Sequence, residues 1–164
     1  MENTTNHEHN AHHDMHHKVH AHASKLESVL ADLFKNFPHL PEGGRKFLVD
    51  VSPYVALVFG ILGVIGLLFG GIASLFFVVA TLGMALPLFL SVIVSLASAV
   101  LLLMSYKGLL ARSKQGWNYA FYSQIVSVIS GLIAMFTMHG GIIGTVVGAI
   151  IGFYILFEIR EHYK

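Results

Sequence analysis

The sequence contains no cysteine and has almost no charge in its middle. Without cysteine, the chain has no disulfide framework, thiolate metal site or thiol nucleophile. Between Val51 and Phe157 the only formal charges are Lys107, Arg112 and Lys114, with 56 uncharged residues before this trio and 43 after it. Charged residues make up 12% of the chain and hydrophobic residues 55%, whereas a soluble domain has about 25% charged residues. The composition predicts an integral membrane protein.

Each uncharged stretch is long enough to cross a bilayer twice, because one transmembrane helix needs about 20 apolar residues. The sequence therefore predicts an all-α bundle of four transmembrane helices in two hairpins, joined by the basic loop Lys107–Lys114. The expected helices are Pro53–Phe69, Met84–Tyr106, Trp117–Met138 and a last one from the turn His139–Gly141 to Phe157. Residues 72–83 leave two alternatives: an interfacial or re-entrant piece, or the start of one long helix to Tyr106 kinked at Pro87.

The positions of the charges predict the orientation. Short loops rich in Lys and Arg stay in the cytoplasm, and Arg45 and Lys46 precede the first expected span. Residues 1–22 lack the apolar segment that a signal peptide contains. We therefore expect a multi-pass protein of the cell membrane with both termini in the cytoplasm. The charged residues after the last span should lie in cytoplasmic water; they are Glu158, Arg160, Glu161 and Lys164. An aromatic belt should mark the membrane interface and consists of Trp117, Tyr119 and Tyr122.

Two further regions precede the transmembrane domain at 51–164: a disordered His-rich tail at 1–23, and an amphipathic helix with its linker at 24–50. Ser24 and Glu27 match a capping box at the start of that helix. Pro38 should end it, Leu40–Gly44 should form a hinge, and Ser52 should cap a helix that begins at Pro53. An apolar stripe suits the interface of a bilayer or the underside of the bundle, and it consists of Leu26, Val29, Leu30, Leu33, Phe34 and Phe37.

The N-terminal tail holds eight of the 11 histidines within 16 positions. Neutral imidazoles spaced four residues apart on a helix can chelate Zn²⁺, Ni²⁺ or Cu²⁺. A tail that gains charge near its ordinary histidine pKa of about 6.5 is a competing functional interpretation, and an inert solvated tail is the plainest one. The candidate ligands are His7, His9, His12, His13, His16, His17, His20 and His22.

Small residues recur at helical spacing in all four expected spans. Lipid supplies little hydrophobic force between helices, so close approach through small residues takes its place. In the last helix Gly144, Gly148 and Gly152 form two overlapping GxxxG motifs. They favour helix packing, either within one bundle or between copies in a homo-oligomer. The serines of the second and third helices, Ser91, Ser95 and Ser98 with Ser123 and Ser127, follow the same spacing.

The expected spans contain no ionisable side chain, although transporters, proton relays and intramembrane hydrolases usually have one. Gln124 is their most polar residue and is expected to be a hydrogen-bonded packing residue. A net charge of +1 is too small to indicate a nucleic-acid-binding surface. The working hypothesis is a small non-enzymatic membrane protein with a structural or assembly role and the lipid bilayer as its main partner. The alternative is a divalent-metal transporter or accessory that uses the His-rich tail.

Several short segments resemble a family of small multi-pass bacterial membrane proteins of unknown function. The similarity covers about residues 26–164 and is most specific in the central loop. This resemblance implies a fold and a membrane location, and it implies no activity and no functional residues. The segments that carry it are Phe37–Pro41, Ser52–Tyr54, Tyr106–Arg112, Gly116–Asn118, Phe121–Tyr122 and Ile151–Phe157.

Overall fold

The computed structural model of the chain describes residues 24–71, 73, 85–135 and 142–164. Every regular element in these ranges is helical. The described residues fall into two units, one ending at Pro38 and the other beginning at His39. The expected turn at His139–Gly141, and most of the segment for which two alternatives were open, lie outside the described ranges.

The first unit contains helix α1, residues 24–34. Its last turn is followed by Phe37, whose backbone N–H donates to Phe34 O at 3.1 Å. The rings of Phe34 and Phe37 lie 5.2 Å apart, and Phe34 is buried. Other members of the predicted apolar stripe are exposed, namely Leu26, Val29, Leu33 and Phe37. A helix is therefore present where the sequence predicted one, and its place at a membrane interface stays a prediction.

The second unit contains four long helices. They are α2 at Glu42–Gly66, which continues as a π-helical turn at Leu67–Gly71, α3 at Ala85–Leu110, α4 at Lys114–Met135 and α5 at Ile142–Ile159, followed by a 3₁₀ turn at Arg160–His162. Each helix packs mainly on its neighbour in sequence, and α2 and α5, the first and last long helices, share only a small contact. The helices therefore follow one another around an open side, which lies between α2 and α5.

Three helices in the described ranges are long and apolar enough to cross a membrane: Glu42–Gly70, Phe89–Leu110 and Ile142–His162. The expected third span, α4, is not among them. This helix is the least apolar of the four, because Gln115, Asn118, Gln124 and a series of serines lie along it. The described ranges thus establish an all-helical protein with three helices that can span a bilayer.

The expected start of the first long helix was wrong by three turns. The helix begins at Glu42, and Gly44 and Arg45 donate their N–H groups to Pro41 O at 2.8 and 3.1 Å. The predicted hinge at Leu40–Gly44 is therefore mostly the first turn of α2. Pro53 lies buried inside the helix rather than at its start, and the missing N–H of Pro53 is compensated as described below.

The turn between α3 and α4 is shorter than the predicted basic loop. Lys107 and Gly108 belong to α3, and only residues 111–113 leave the helical path. Arg112 has φ of 51°, and the N–H groups of Ser113 and Arg112 donate to Gly108 O and Leu109 O at 2.9 and 3.0 Å. These two bonds form a Schellman motif, with an arginine at the position where glycine is most common.

Candidate functional site

All Lys, Arg, Asp and Glu side chains of the second unit lie at one end of the bundle, which we call the charged end. Arg112 Nη2 donates to Asp50 Oδ1 at 2.9 Å, which joins the α3–α4 turn to α2. Lys114 N donates to Lys164 O at 3.1 Å, which joins α4 to the chain after α5. The predicted gathering of charge on one face of the molecule is confirmed for these residues.

Glu158 is the most buried charge at this end, with 4% of its side chain exposed. Its Oε1 accepts hydrogen bonds from Arg45 Nε at 2.7 Å and from Leu40 N at 2.8 Å. His39 Nδ1 lies 3.2 Å from its Oε2. The expectation that Glu158 lies in water was therefore wrong. Hydrogen bonds from several donors compensate the carboxylate for the loss of water, so it can be buried in the protein. Glu161, with 82% of its side chain exposed, and Lys164, which is also exposed, lie where the sequence predicted.

Val49 O is the acceptor that Pro53 leaves without its usual helical N–H partner. Ser52 Oγ donates to this carbonyl at 3.1 Å, and the hydroxyl of Tyr163 donates to it at 3.4 Å. Ser52 Oγ and Tyr163 Oη are themselves 2.9 Å apart. Ser52 is therefore not an N-cap, and its hydroxyl supports the helix through Pro53. Burial raises the pKa of the Tyr163 phenol above its ordinary value.

Trp117 lies inside the bundle, with 1% of its surface exposed. It stacks on Phe121 at 5.2 Å between ring centroids, and its Nε1 donates to Leu156 O at 2.8 Å. The guanidinium carbon of Arg160 lies 5.6 Å from the Trp117 ring centroid, within the range of a cation–π contact. Trp117 was expected in an aromatic belt at the membrane interface. Its indole N–H instead donates to a backbone carbonyl of α5, so the ring packs inside the bundle. Tyr119 and Tyr122 are half-buried.

A seam of serines joins α3 to α4. Ser98 Oγ donates to Ser123 O at 3.0 Å, and Ser123 Oγ donates back to Ser98 O at 2.9 Å. The hydroxyls of Ser98 and Ser127, and those of Ser95 and Ser130, are 2.5 Å apart. The serine spacing read from the sequence thus marks a real contact between the two helices, while the contribution of Ser130 was missed.

Beside this seam lies a cleft of about 850 Å³ on the open side of the bundle. One wall is α2, with Leu48, Val55, Phe59 and Leu62, and the opposite wall is α5, with Ile151 and Ile155. The floor is formed by α3 and α4 and includes Ser95, Ser98, Ser127, Ser130 and Gln124. Gln124 Nε2 donates to Gly148 O at 3.3 Å, so the prediction of a hydrogen-bonded packing residue is confirmed.

The three predicted packing glycines of α5 have different surroundings. A Cβ on Gly152 would meet the side-chain amide of Gln124 at 2.5 Å, so Gly152 permits a close contact with α4. A Cβ on Gly144 or Gly148 would meet no described atom within 4 Å. Gly148 lines the cleft and Gly144 does not. Similarly close or closer contacts between helices occur at glycines outside these two GxxxG motifs, namely Gly60 against Leu103, Gly131 against Thr145, and Gly108 against Gly116.

The predicted metal ligands, His7, His9, His12, His13, His16, His17, His20 and His22, lie outside the described residues. Within the described ranges, no three His, Asp or Glu side chains are grouped so that they could hold a metal ion. The burial of Glu158 among its hydrogen-bond donors at the charged end was missed from the sequence. One signal was available: Glu158 lies between the apolar run Phe153–Phe157 and Ile159, which is unusual for a solvated carboxylate.

The described residues define an all-helical protein with three helices that are long and apolar enough to cross a membrane, a polar seam and an apolar cleft. No protein-family model matches the chain, and neither a curated protein nor a solved structure matches it.

Proposed function

We propose that this chain is a small non-enzymatic integral membrane protein with a structural or assembly role. The observation that carries the proposal is how the polar side chains of the bundle are used. The lining serines bond to one another or to backbone, and Gln124 bonds to Gly148 O. A nucleophile would need a neighbouring base, whereas hydroxyls engaged across helices act as contacts between helices.

We further propose that α4 is a fourth span and that both termini lie in the cytoplasm. The polar residues that lower its hydropathy are directed in part at α3, through Ser123, Ser127 and Ser130. Polar groups engaged between helices are compatible with the bilayer core. The basic residues at the charged end favour the cytoplasmic side.

Single cysteines test this topology without interference, because the chain has none of its own. We expect a membrane-impermeant maleimide to label Ser113→Cys and His139→Cys from opposite sides of sealed vesicles. Labelling of both from the same side would rule out α4 as a span.

We propose that copies of the chain associate through the outer part of α5. Gly144 is a suitable position for a test, because a Cβ there would meet no described atom within 4 Å. We expect Gly144→Leu to weaken association, measured by energy transfer between labelled copies in vesicles. Gly70→Leu is the matched control, because a Cβ on Gly70 would also meet no described atom and Gly70 is not part of α5. A wild-type monomer, or association unchanged by Gly144→Leu, would remove the assembly role.

The second candidate function is divalent-metal handling by the His-rich tail, and the density of histidines between His7 and His22 favours it. Calorimetric titration of Zn²⁺, Ni²⁺ and Cu²⁺ into the untagged protein tests it, with the form lacking residues 1–23 as control. Stoichiometric binding that disappears with the tail would support metal handling. Weak binding without defined stoichiometry would leave the tail as a solvated segment.

A further inference from the structure

We propose that the cleft between α2 and α5 binds one acyl chain of an anionic phospholipid, with the headgroup at the charged end. The two walls of the cleft belong to two helices that are apolar and long enough to cross a membrane. Phe59, Leu62 and Ile151 line it and are each more than half exposed. The cleft is therefore open sideways, at the depth where the surroundings of a membrane protein are hydrocarbon.

The dimensions of the cleft select the occupant. Along α2 it extends from Leu48 to Leu67, which is roughly 28 Å at about 1.5 Å per residue. The volume of about 850 Å³ counts positions open to the centre of a water molecule. Over this length it gives a mean width of about 6 Å for those centres, or about 9 Å between the walls once a water radius of about 1.4 Å is added on each side. A helix is about 10 Å wide with its side chains, so a helix of a second copy does not fit. A methylene chain fits, because carbon atoms contact one another at about 4 Å.

The polar atoms of the floor point to the same occupant. Ser95, Ser98, Ser127 and Ser130 each have a hydroxyl partner, and Gln124 donates to a backbone carbonyl. Each of these side chains thus already has a hydrogen-bond partner within the protein. A ligand with polar groups along its length would leave those groups without partners in the cleft, which is unfavourable. A hydrocarbon chain has no such groups.

The charge at one end of the cleft selects the headgroup. The cleft reaches the charged end at Leu48, Ser52 and Ile159. From His39 to Lys164 the chain has seven Lys and Arg residues and four Asp and Glu residues, all of them at this end. Lys46 is exposed there, two residues before Leu48. A net positive surface next to the end of an acyl-chain groove favours an anionic headgroup over a zwitterionic one.

Gly66 offers a way to fill the cleft without disturbing the helices. It lines the cleft, and a Cβ there would meet no described atom within 4 Å. A Cβ on Gly70 would likewise meet no described atom within 4 Å, and Gly70 is not part of the lining. The comparison of Gly66→Leu with Gly70→Leu therefore tests the filling of the cleft. Gly148→Leu makes the same change on the opposite wall, again with Gly70→Leu as the control, and serves as the second test if Gly66→Leu does not fold.

The experiment uses the full chain in vesicles of phosphatidylcholine and phosphatidylglycerol in equal amounts. After extraction in mild detergent, native mass spectrometry counts the lipids retained on each chain. We expect one phospholipid per chain, predominantly phosphatidylglycerol. Gly66→Leu should lower the lipid-bound fraction about tenfold, which corresponds to about 1.4 kcal/mol of binding free energy. Gly70→Leu should leave it unchanged.

Three results would overturn the proposal. The wild-type protein could retain no lipid, Gly66→Leu could retain as much lipid as wild type, or the retained species could be a second copy of the chain without lipid. Retention of phosphatidylcholine and phosphatidylglycerol in equal amounts would overturn the assignment of the headgroup. Because Gly66 lies on α2, a failure here is independent of the association through α5 that Gly144→Leu tests.

Discussion

The contact between Gly108 and Gly116 gives the sharpest test of how these helices pack. The two glycines bring α3 and α4 together next to the turn that joins them. A Cβ on Gly116 would meet the carbonyl carbon of Gly108 and the backbone nitrogen of Leu109. Backbone atoms cannot rotate away as a side chain can, so Gly116→Ala forces the two helices apart. Gly148→Ala is the matched change, because it introduces the same methyl group into open space.

The two variants should change stability in opposite directions. Replacing a helical glycine by alanine contributes up to about 1 kcal/mol of stability through helix propensity. This gain is the whole effect at Gly148, which lies inside α5 and has no described neighbour within 4 Å of its Cβ position. At Gly116 overpacking costs about 1–3 kcal/mol and falls at the upper part of that range, because the obstacle is backbone. We expect Gly116→Ala to be less stable than Gly148→Ala by about 2–3 kcal/mol.

Reversible unfolding in mixed detergent micelles measures this difference, with helix content from circular dichroism as the signal. The fluorescence of Trp117 is unsuitable here because its ring adjoins the substituted position. Equal free energies of unfolding for the two variants would refute the argument, since they would mean that α3 and α4 are not in backbone contact at these glycines.

Two further predictions concern the polar contacts. Glu158→Ala should lower the unfolding midpoint far more than Asp50→Ala, because Glu158 is buried with three donors whereas Asp50 has 64% of its side chain exposed in its ion pair. Similar midpoints for these two variants would show that Glu158 is solvated. Ser98→Ala should cost about 1 kcal/mol, near the upper range for a hydrogen bond between membrane helices, while Ser28→Ala, which removes an exposed bond within α1, should cost less. An effect of Ser98→Ala no larger than that of Ser28→Ala would exclude a role for the seam in stability.

The sequence predicted that the long apolar segments are helical, and the described ranges confirm it, because composition and spacing are local properties. The three charges between Val51 and Phe157 placed the α3–α4 turn within a few residues of its position at 111–113. Helix ends were less accurate. Pro53 was taken as a start because proline favours the first turn, but hydroxyls of Ser52 and Tyr163 compensate the carbonyl it leaves unpaired, so the helix continues. Tyr163 is more than a hundred residues away, and no local pattern indicates it.

The candidate site was harder to predict than the fold. The repeat of small residues showed that helices would approach closely but not which glycine would meet which neighbour. Gly108 and Gly116 carry the closest contact and belong to no GxxxG motif. The cleft is a property of four helices together, and its width depends on how far α2 lies from α5. The distance between α2 and α5 cannot be read from the sequence of either helix alone.

The sequence by itself determined that the described long segments are helical, that several helices are apolar enough to cross a membrane, and that the charges of the second unit collect at one end. These properties follow from the hydropathy and charge of short segments, because the cost of placing charge in hydrocarbon acts on each segment separately. Only the tertiary structure decided that Glu158 is buried beside Arg45 and Leu40, that Trp117 lies inside the bundle, and that an apolar cleft opens between α2 and α5. Burial and cavity shape depend on the packing of distant segments, which a linear pattern does not encode.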